Sequence, residues 1–135
     1  MPQSPDVVAV FNSSEDTTEM LRVLIEHAGF VVVTVFTHSL RDGKIDFDGF
    51  MRQHCPKVIV YDVAVPYEQN WRLFEHFRDT PASRDVQFVL TTTNVAQVQK
   101  VAKPDQQIYE IVGKPYDLDI LVRAVKEAAR RRGTH

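Results

Sequence analysis

The segment from Lys57 to Pro66 reads KVIVYDVAVP, and it carries the two features that decide the fold. It begins with a nearly continuous apolar run rich in β-branched residues, which is typical of a strand buried on both faces of a parallel sheet. The run ends at Asp62, and a proline follows four residues later. Parallel sheets bind their ligands at the carboxyl ends of their strands. The segment therefore predicts a central strand with a candidate functional carboxylate at its end.

Runs of the same kind recur along the chain and alternate with helical patterns. The predicted strands are Asp6–Phe11, Val31–Phe36, Lys57–Tyr61, Val86–Thr91 and Ile108–Val112. The predicted helices are a first one closed by Gly29, a second over Asp46–His54, a third carrying Trp71, Phe74 and Phe77, a fourth over Asn94–Lys103, and a fifth from Leu118 to Ala129. This alternation predicts an α/β fold in which a doubly wound, five-stranded parallel sheet lies between two helical layers.

Length and composition indicate one globular domain. The 135 residues, 44% of them hydrophobic and 25% charged, suffice for one core. We expect a single domain over residues 1–135, with its core at about 6–130 and frayed ends. The net charge of −2 gives no reason to expect nucleic-acid binding, and Arg130–Arg132 is explained as a complement to the dipole of the last helix. The lone Cys55 cannot form an internal disulfide, and we expect it to be buried at a helix end.

Several classes of protein are disfavoured by the absence of their motifs. The first residues lack the basic and apolar regions of a secretory signal, and no apolar run reaches the ~18 residues that span a bilayer. We therefore expect a cytoplasmic protein with no membrane partner. The sequence contains no GxxxxGK[ST], GxGxxG or GxSxG motif, and its five histidines lack zinc-site spacing. We predict that the chain is not an enzyme.

Polar residues follow the predicted strands at positions that converge on one edge of the sheet. Asn12 and Ser13 follow the first strand, Asp62 the third, Thr91 ends the fourth, and Lys114 follows the fifth. A carboxylate, a hydroxyl and an ammonium brought together there could accept, hydrogen-bond and neutralise a phosphoryl group.

The order and spacing of these residues resemble the receiver domain of two-component response regulators, over roughly residues 6–130. The matching elements are Asp62 with Pro66 after the third strand, Thr91 at the end of the fourth, and Lys114-Pro115-Tyr116 after the fifth. The resemblance implies a (βα)5 flavodoxin-like fold and a role in phosphorelay signal transduction. It implies that Asp62 is the phosphoacceptor and that Thr91 and Lys114 bind the phosphoryl oxygens. A sensor histidine kinase or another signalling protein would be the partner.

The resemblance also implies a Mg²⁺ site, which this chain has in altered form. Its ligands would be Asp62, the backbone carbonyl of Ala64 and Asn12. Receivers usually carry two acidic residues where this chain has Asn12 and Ser13. Since Mg²⁺ favours charged oxygen ligands, we expect weakened binding. Glu15 and Asp16 are candidates to compensate, or else they form the acidic first turn of the first helix.

Further departures concern switching and the site hydroxyl. Ile111 stands where receivers carry the aromatic residue that reorients on phosphorylation, and Tyr109 is a candidate substitute on the same strand face. Asn70 replaces a usual glycine four residues after Pro66. Thr92 rivals Thr91, because the spacing from Thr91 to Lys114 is one residue longer than is common in the family.

Three functional hypotheses remain open on this basis. The first is a phospho-accepting receiver, with a possible homodimer through the face formed by the fourth helix, fifth strand and fifth helix. The second is a pseudo-receiver that binds partner proteins without phosphorylation. The third, a small-molecule-binding domain or an enzyme using the same crevice, is supported by the fold alone. We expect no output domain after the fifth helix, in keeping with either a stand-alone receiver or one excised from a longer protein.

Overall fold

The computed structural model describes residues 5–101, 108–113 and 118–131. It contains five strands, β1 (Val7–Asn12), β2 (Val31–Phe36), β3 (Val58–Asp62), β4 (Gln87–Thr92) and β5 (Ile108–Gly113). All neighbouring strands are parallel, in the order β2-β1-β3-β4-β5. The predicted five-stranded parallel sheet is confirmed, with boundaries that differ by one residue in four of the strands.

Within the described residues, six α-helices and one short 3₁₀ turn lie between or after the strands. The helices are α1 (Glu15–His27), α2 (Thr37–Arg41), α3 (Phe47–His54), α4 (Tyr67–Arg78), α5 (Val95–Val101) and α6 (Leu118–Arg130), and the 3₁₀ turn covers Pro81–Ser83. The sequence did not predict α2, whose five residues are too few to show an apolar period and bury only Leu40. The predicted end of the fourth helix at Lys103 falls outside the described residues.

Capping groups explain where two of these helices begin and end. Ser14 precedes α1, and its side chain accepts a hydrogen bond from the Thr17 backbone N–H. Gly29 follows the same helix with a φ of 102°, a left-handed conformation that glycine adopts readily. Asn94 caps α5, since its Oδ1 accepts a hydrogen bond of 3.1 Å from the Gln97 N–H. Short polar side chains at helix starts thus set these boundaries.

The core consists of two apolar clusters, one on each face of the sheet. Alternate residues of β1, β3 and β4 enter the first cluster, which also contains Trp71, Phe74 and Phe77 of α4 and residues of α3. The intervening strand residues enter the second cluster, together with α1 and α6. The aromatic stripe of α4 is core, as expected. The three-layer sandwich is therefore confirmed, because both faces of the sheet are covered by helices.

Cys55 corrects one expectation, since its side chain is exposed. It is the C-cap of α3 and adopts a left-handed backbone conformation, with φ 47° and ψ 52°. This conformation ends the helix and directs the side chain away from the core, where its Sγ lies 3.3 Å from the Arg52 carbonyl oxygen. The apolar character of Cys55 predicted burial, but its position as the C-cap of α3 leaves the side chain exposed.

No helix in the described part of the chain is both long enough and apolar enough to cross a bilayer.

Candidate functional site

Asp62 and Thr91 lie side by side at the carboxyl ends of the two central strands. They are register partners in the β3–β4 pairing, so their side chains project from the same face of the sheet. The Thr91 hydroxyl donates a hydrogen bond of 2.7 Å to Asp62 Oδ1. Asp62 is 5% exposed and Thr91 is fully buried. The bond gives the nearly buried carboxylate a hydrogen-bond donor and orients it.

Asn12 occupies the equivalent level on β1. Phe11 pairs with Tyr61, so Asn12 and Asp62 are each one residue further along adjacent strands. Strand order reverses between β1 and β3, which is where open parallel sheets bind ligands. The Asn12 side chain is 1% exposed, and its Oδ1 accepts a hydrogen bond of 2.9 Å from the Ser14 N–H. Asn12 therefore also shapes the turn that leads into α1.

The loop after β3 is held close to the site by two hydrogen bonds. The Val63 N–H donates to the Thr91 carbonyl at 2.8 Å, extending the ladder one step past the strand. The Asn70 side-chain amide donates to the Ala64 carbonyl, also at 2.8 Å. A glycine at position 70 would leave that carbonyl without this donor. Asn70 thus donates to the backbone oxygen that the family resemblance implies as a metal ligand.

A pocket of about 160 Å³ opens beside Asp62. Its walls come from four segments and comprise Ser13, Thr37, His38, Arg41, Tyr61, Asp62, Ala64, Val65 and Asn70. The two basic side chains among these lining residues, His38 and Arg41, belong to α2. Trp71 is not among the described lining residues, because its ring is buried against Phe74 in the core. The pocket combines one carboxylate with a guanidinium, an imidazole and several neutral polar groups.

The pKa of Tyr61 reports on the electrostatics of this pocket. Burial raises the pKa of the Tyr61 phenol well above its ordinary value, because the ionised form would be poorly solvated. The negative charge of Asp62 raises that pKa further, and the positive charge of Arg41 lowers it. Both charges therefore act on the same phenol. Tyr61 is a neutral hydroxyl in the wall of the site at any physiological pH.

The residues around Asp62 match a Mg²⁺ site poorly. Only Asp62 among the described lining residues supplies a charged oxygen. The Asn12 and Ala64 oxygens are neutral, and each accepts a hydrogen bond from the protein. Within the described ranges, no group of three or more histidine, cysteine, aspartate or glutamate side chains is arranged to hold a metal ion. Since Mg²⁺ gives up its waters mainly to carboxylates, this donor set provides a weak site at best.

The remaining predicted site residues have varied positions. Thr92 is fully buried, and its Oγ1 accepts a hydrogen bond of 3.3 Å from the Asn94 N–H at the start of α5. Glu15 and Asp16 are exposed in the first turn of α1, and neither is among the described pocket residues. Ile111 is half-buried and packs against the first core cluster. Lys114, Pro115 and the side chain of Tyr109 lie outside the described residues.

The contribution of α2 to the site was not predicted from the sequence. Thr37, His38 and Arg41 lie in a segment without a recognisable helical period, and nothing in their spacing points to Asp62. A second missed contact lies nearby, where the Tyr67 hydroxyl and Thr93 Oγ1 are 2.6 Å apart and join α4 to the loop after β4. The only sequence signal for α2 is its position directly after the second strand, on the ligand-binding edge.

Comparison with known proteins gives matches in sequence and in structure. No protein-family model matches the chain. An uncharacterized 14.6 kDa protein from Leptolyngbya boryana is 23% identical over 120 residues, which cover 89% of this chain and 87% of that protein. A signal receiver domain of a two-component histidine kinase from Clostridium thermocellum superimposes with a TM-score of 0.74 at 16% identity, covering 93% of this chain and 98% of that one.

Two further structures show the same likeness. A response regulator from Thermotoga maritima has a TM-score of 0.69 at 18% identity, covering 95% of this chain and all of that one. A sensor protein from Polaromonas sp. JS666 has a TM-score of 0.71 at 17% identity, covering 92% and 95%. The chain therefore has the CheY-like, flavodoxin-like fold of response-regulator receiver domains, as the sequence resemblance implied.

Proposed function

We propose that this chain is a receiver module in phosphorelay signal transduction and that Asp62 is its phosphoacceptor. The observation that carries the proposal is the buried Thr91–Asp62 hydrogen bond at the point where strand order reverses. The receiver fold supports it, since the solved structures that the chain resembles include response regulators and receiver domains. We place the protein in the cytoplasm, as a single receiver-like domain over residues 1–135.

The proposed reaction is an attack of an Asp62 carboxylate oxygen on phosphorus. A phosphohistidine of a sensor histidine kinase supplies the phosphoryl group, its P–N bond breaks, and the histidine leaves. Thr91 Oγ1 is positioned to hydrogen-bond the transferred group, because it already contacts the acceptor carboxylate. We propose that Lys114 neutralises the added negative charge. We propose that Thr91, not Thr92, is the site hydroxyl, since Thr91 already donates to Asp62 and successive residues of β4 point to opposite faces of the sheet.

Any Mg²⁺ at this site would be held by Asp62, the Ala64 carbonyl and Asn12, and weakly. Such an ion supplies positive charge to phosphoryl oxygens. The other roles belong to side chains of the protein. Thr91 orients the acceptor carboxylate of Asp62, and Asn70 fixes the loop that carries Ala64. The signalling partner is a kinase or another protein, and neither nucleic acid nor membrane is proposed. A homodimer through the α5–β5–α6 face is part of the same proposal.

Intact-mass spectrometry after incubation with acetyl phosphate and Mg²⁺ tests the acceptor directly. The wild type should gain one phosphoryl group, and Asp62→Asn should gain none. Asp79→Asn is the matched control, because Asp79 is the C-cap of α4 and its carboxylate contacts Arg78 on the surface. It should react like the wild type. No gain in the wild type at any Mg²⁺ concentration would refute Asp62 as the acceptor.

A phosphorylation-independent pseudo-receiver is the second candidate. It is favoured by Asn12 and Ser13 in place of the acidic pair, and by Ile111, which packs into the core and lacks the hydroxyl of a switching tyrosine. In this case Asp62→Asn would leave partner binding and signalling in cells intact. Loss of signalling in that variant, with the fold preserved by circular dichroism, would exclude the second candidate.

A further inference from the structure

The short helix α2 brings basic side chains to the pocket beside Asp62. His38 and Arg41 are three residues apart and lie on neighbouring positions of one helical face. Both line the 160 Å³ pocket that Asp62 and Ser13 also line. A guanidinium and an imidazole are therefore present on the side of the site where receivers usually carry their acidic pair.

Arg41 is not committed to a strong partner within the described structure. Its ion pair is with the neighbouring Asp42, at 4.0 Å between Nε and Oδ1, and both side chains are more than half exposed. Such a surface pair contributes little to stability and competes weakly for the guanidinium. The Arg41 side chain is 60% exposed and already lines the pocket. The Arg41 charge also lowers the pKa of Tyr61 while Asp62 raises it, which places both charges near the same pocket wall.

We infer that Arg41, assisted by His38, binds the phosphoryl oxygens at Asp62 and replaces the divalent metal ion as the source of positive charge in this pocket. A guanidinium offers several N–H donors in a planar array that matches two phosphoryl oxygens at once. An imidazole adds one further donor from the same helix. This inference rests on the proposed function, since it concerns how the same aspartate accepts its phosphoryl group.

The consequence is that Asp62 accepts a phosphoryl group without a divalent metal ion. With acetyl phosphate as donor, an Asp62 oxygen forms a bond to phosphorus, the bond from phosphorus to the acetyl oxygen breaks, and acetate leaves. The step involves no oxidation or reduction, so it needs no further reactant. The cation that offsets the charge on the transferring oxygens is then part of the protein itself.

The test compares phosphorylation rates of the full chain by intact mass, with acetyl phosphate in EDTA and in Mg²⁺. The wild type should react in EDTA at a rate within about tenfold of its rate in Mg²⁺. Arg41→Gln should slow the EDTA reaction by on the order of tenfold to a hundredfold, as expected for one charged group that stabilises a transition state. Arg41→Lys should recover part of the loss, and His38→Gln should have a smaller effect than Arg41→Gln.

Arg72→Gln is the matched control, because Arg72 is an exposed arginine of α4 that pairs with Glu68 and does not line the pocket. It should react like the wild type in both conditions. A second readout uses inorganic phosphate in EDTA, whose binding, measured by calorimetry, should weaken at least several-fold in Arg41→Gln and remain unchanged in Arg72→Gln.

The possible outcomes separate this inference from the proposed function. A wild type that gains a phosphoryl group in Mg²⁺ but not in EDTA overturns the inference and leaves Asp62 as acceptor. Equal EDTA rates for wild type and Arg41→Gln overturn the role of Arg41. If the wild type gains no mass in EDTA and none in Mg²⁺, both proposals are overturned. Because Arg41 is largely exposed, circular dichroism should show all variants folded.

Discussion

The Thr91 hydroxyl donates a 2.7 Å hydrogen bond to Asp62 Oδ1, joining two buried side chains that lie 29 residues apart in the sequence. Parallel pairing of β3 with β4 puts them opposite one another, so the bond follows from strand register. It gives the site an oriented acceptor. It also supplies the nearly buried carboxylate with a hydrogen-bond donor, and the loss of a donor to a buried charged group costs stability.

Replacing Thr91 by valine should therefore affect both stability and phosphorylation. Valine preserves the volume but leaves Asp62 without this donor, at a cost of about 1–3 kcal/mol in the free energy of unfolding. Phosphorylation of Asp62 should slow by about tenfold or more. Urea denaturation and intact mass measure the two effects.

Thr92→Val is the control for that substitution, since Thr92 is equally buried on the adjacent position of β4. It loses the acceptor for the Asn94 N–H, so it should cost about 1 kcal/mol of stability. Its phosphorylation rate should equal that of the wild type. A slower rate in Thr92→Val than in Thr91→Val would make Thr92 the site hydroxyl.

Asn12→Asp should create the second carboxylate that the Mg²⁺ site lacks. The new carboxylate can still accept the Ser14 N–H, and it adds a negative charge at the same level as Asp62. Without metal the like charges should lower the melting temperature. Mg²⁺ should restore it and should bind at least about tenfold more tightly than to the wild type, or ~1.4 kcal/mol.

Isothermal titration calorimetry measures that affinity, with Asn94→Asp as the control. Asn94 caps α5, and aspartate serves as well in that position. The control should show wild-type Mg²⁺ binding. Unchanged affinity in Asn12→Asp would mean that residue 12 does not reach the ion.

Tyr61 should make the protein lose stability at alkaline pH. Its pKa in the folded protein is raised, by burial first and by Asp62 second, above the value of 10.0 expected for the unfolded chain. The contribution of Tyr61 to stability is complete below about pH 10 and declines as pH rises towards the folded pKa, because the unfolded chain releases the proton first.

The comparison of wild type with Tyr61→Phe isolates this effect from the other tyrosines. Between pH 10 and 11 the free energy of unfolding should fall more steeply with pH in the wild type than in Tyr61→Phe. The difference in slope should be up to about 1.4 kcal/mol per pH unit. Urea denaturation followed by circular dichroism gives both profiles. Parallel profiles would show that the Tyr61 pKa is not raised in the folded state.

Phe74→Ala should be among the most destabilising substitutions in the chain. The Phe74 ring is fully buried and lies 5.0–5.2 Å from the ring centroids of Tyr61, Trp71 and Phe88. Its removal leaves a cavity beneath the site and should cost about 3–5 kcal/mol. Phe50→Ala is the comparison, since Phe50 is only half-buried, and it should cost clearly less. Denaturation followed by Trp71 fluorescence measures both.

Local patterns in the sequence determined the elements of this fold. β-branched runs and apolar periods predicted all five strands and the five longer helices, because burial on a sheet or a helix imposes a period that neighbouring residues must follow. The same logic placed Asp62 and Thr91 at strand ends, where side chains from different strands meet. The aromatic stripe of α4 was predicted as core on the same grounds.

Only the tertiary structure decided how the polar groups of the site contact one another and which further residues join them. The hydrogen bond between Thr91 and Asp62 depends on strand register, the Asn70–Ala64 contact depends on a loop, and the left-handed cap exposed Cys55. Arg41 and His38 reach the pocket through α2, a helix too short to leave a period in the sequence. Periodicity encodes which side of an element is buried, whereas contacts between distant segments depend on packing that no local pattern contains.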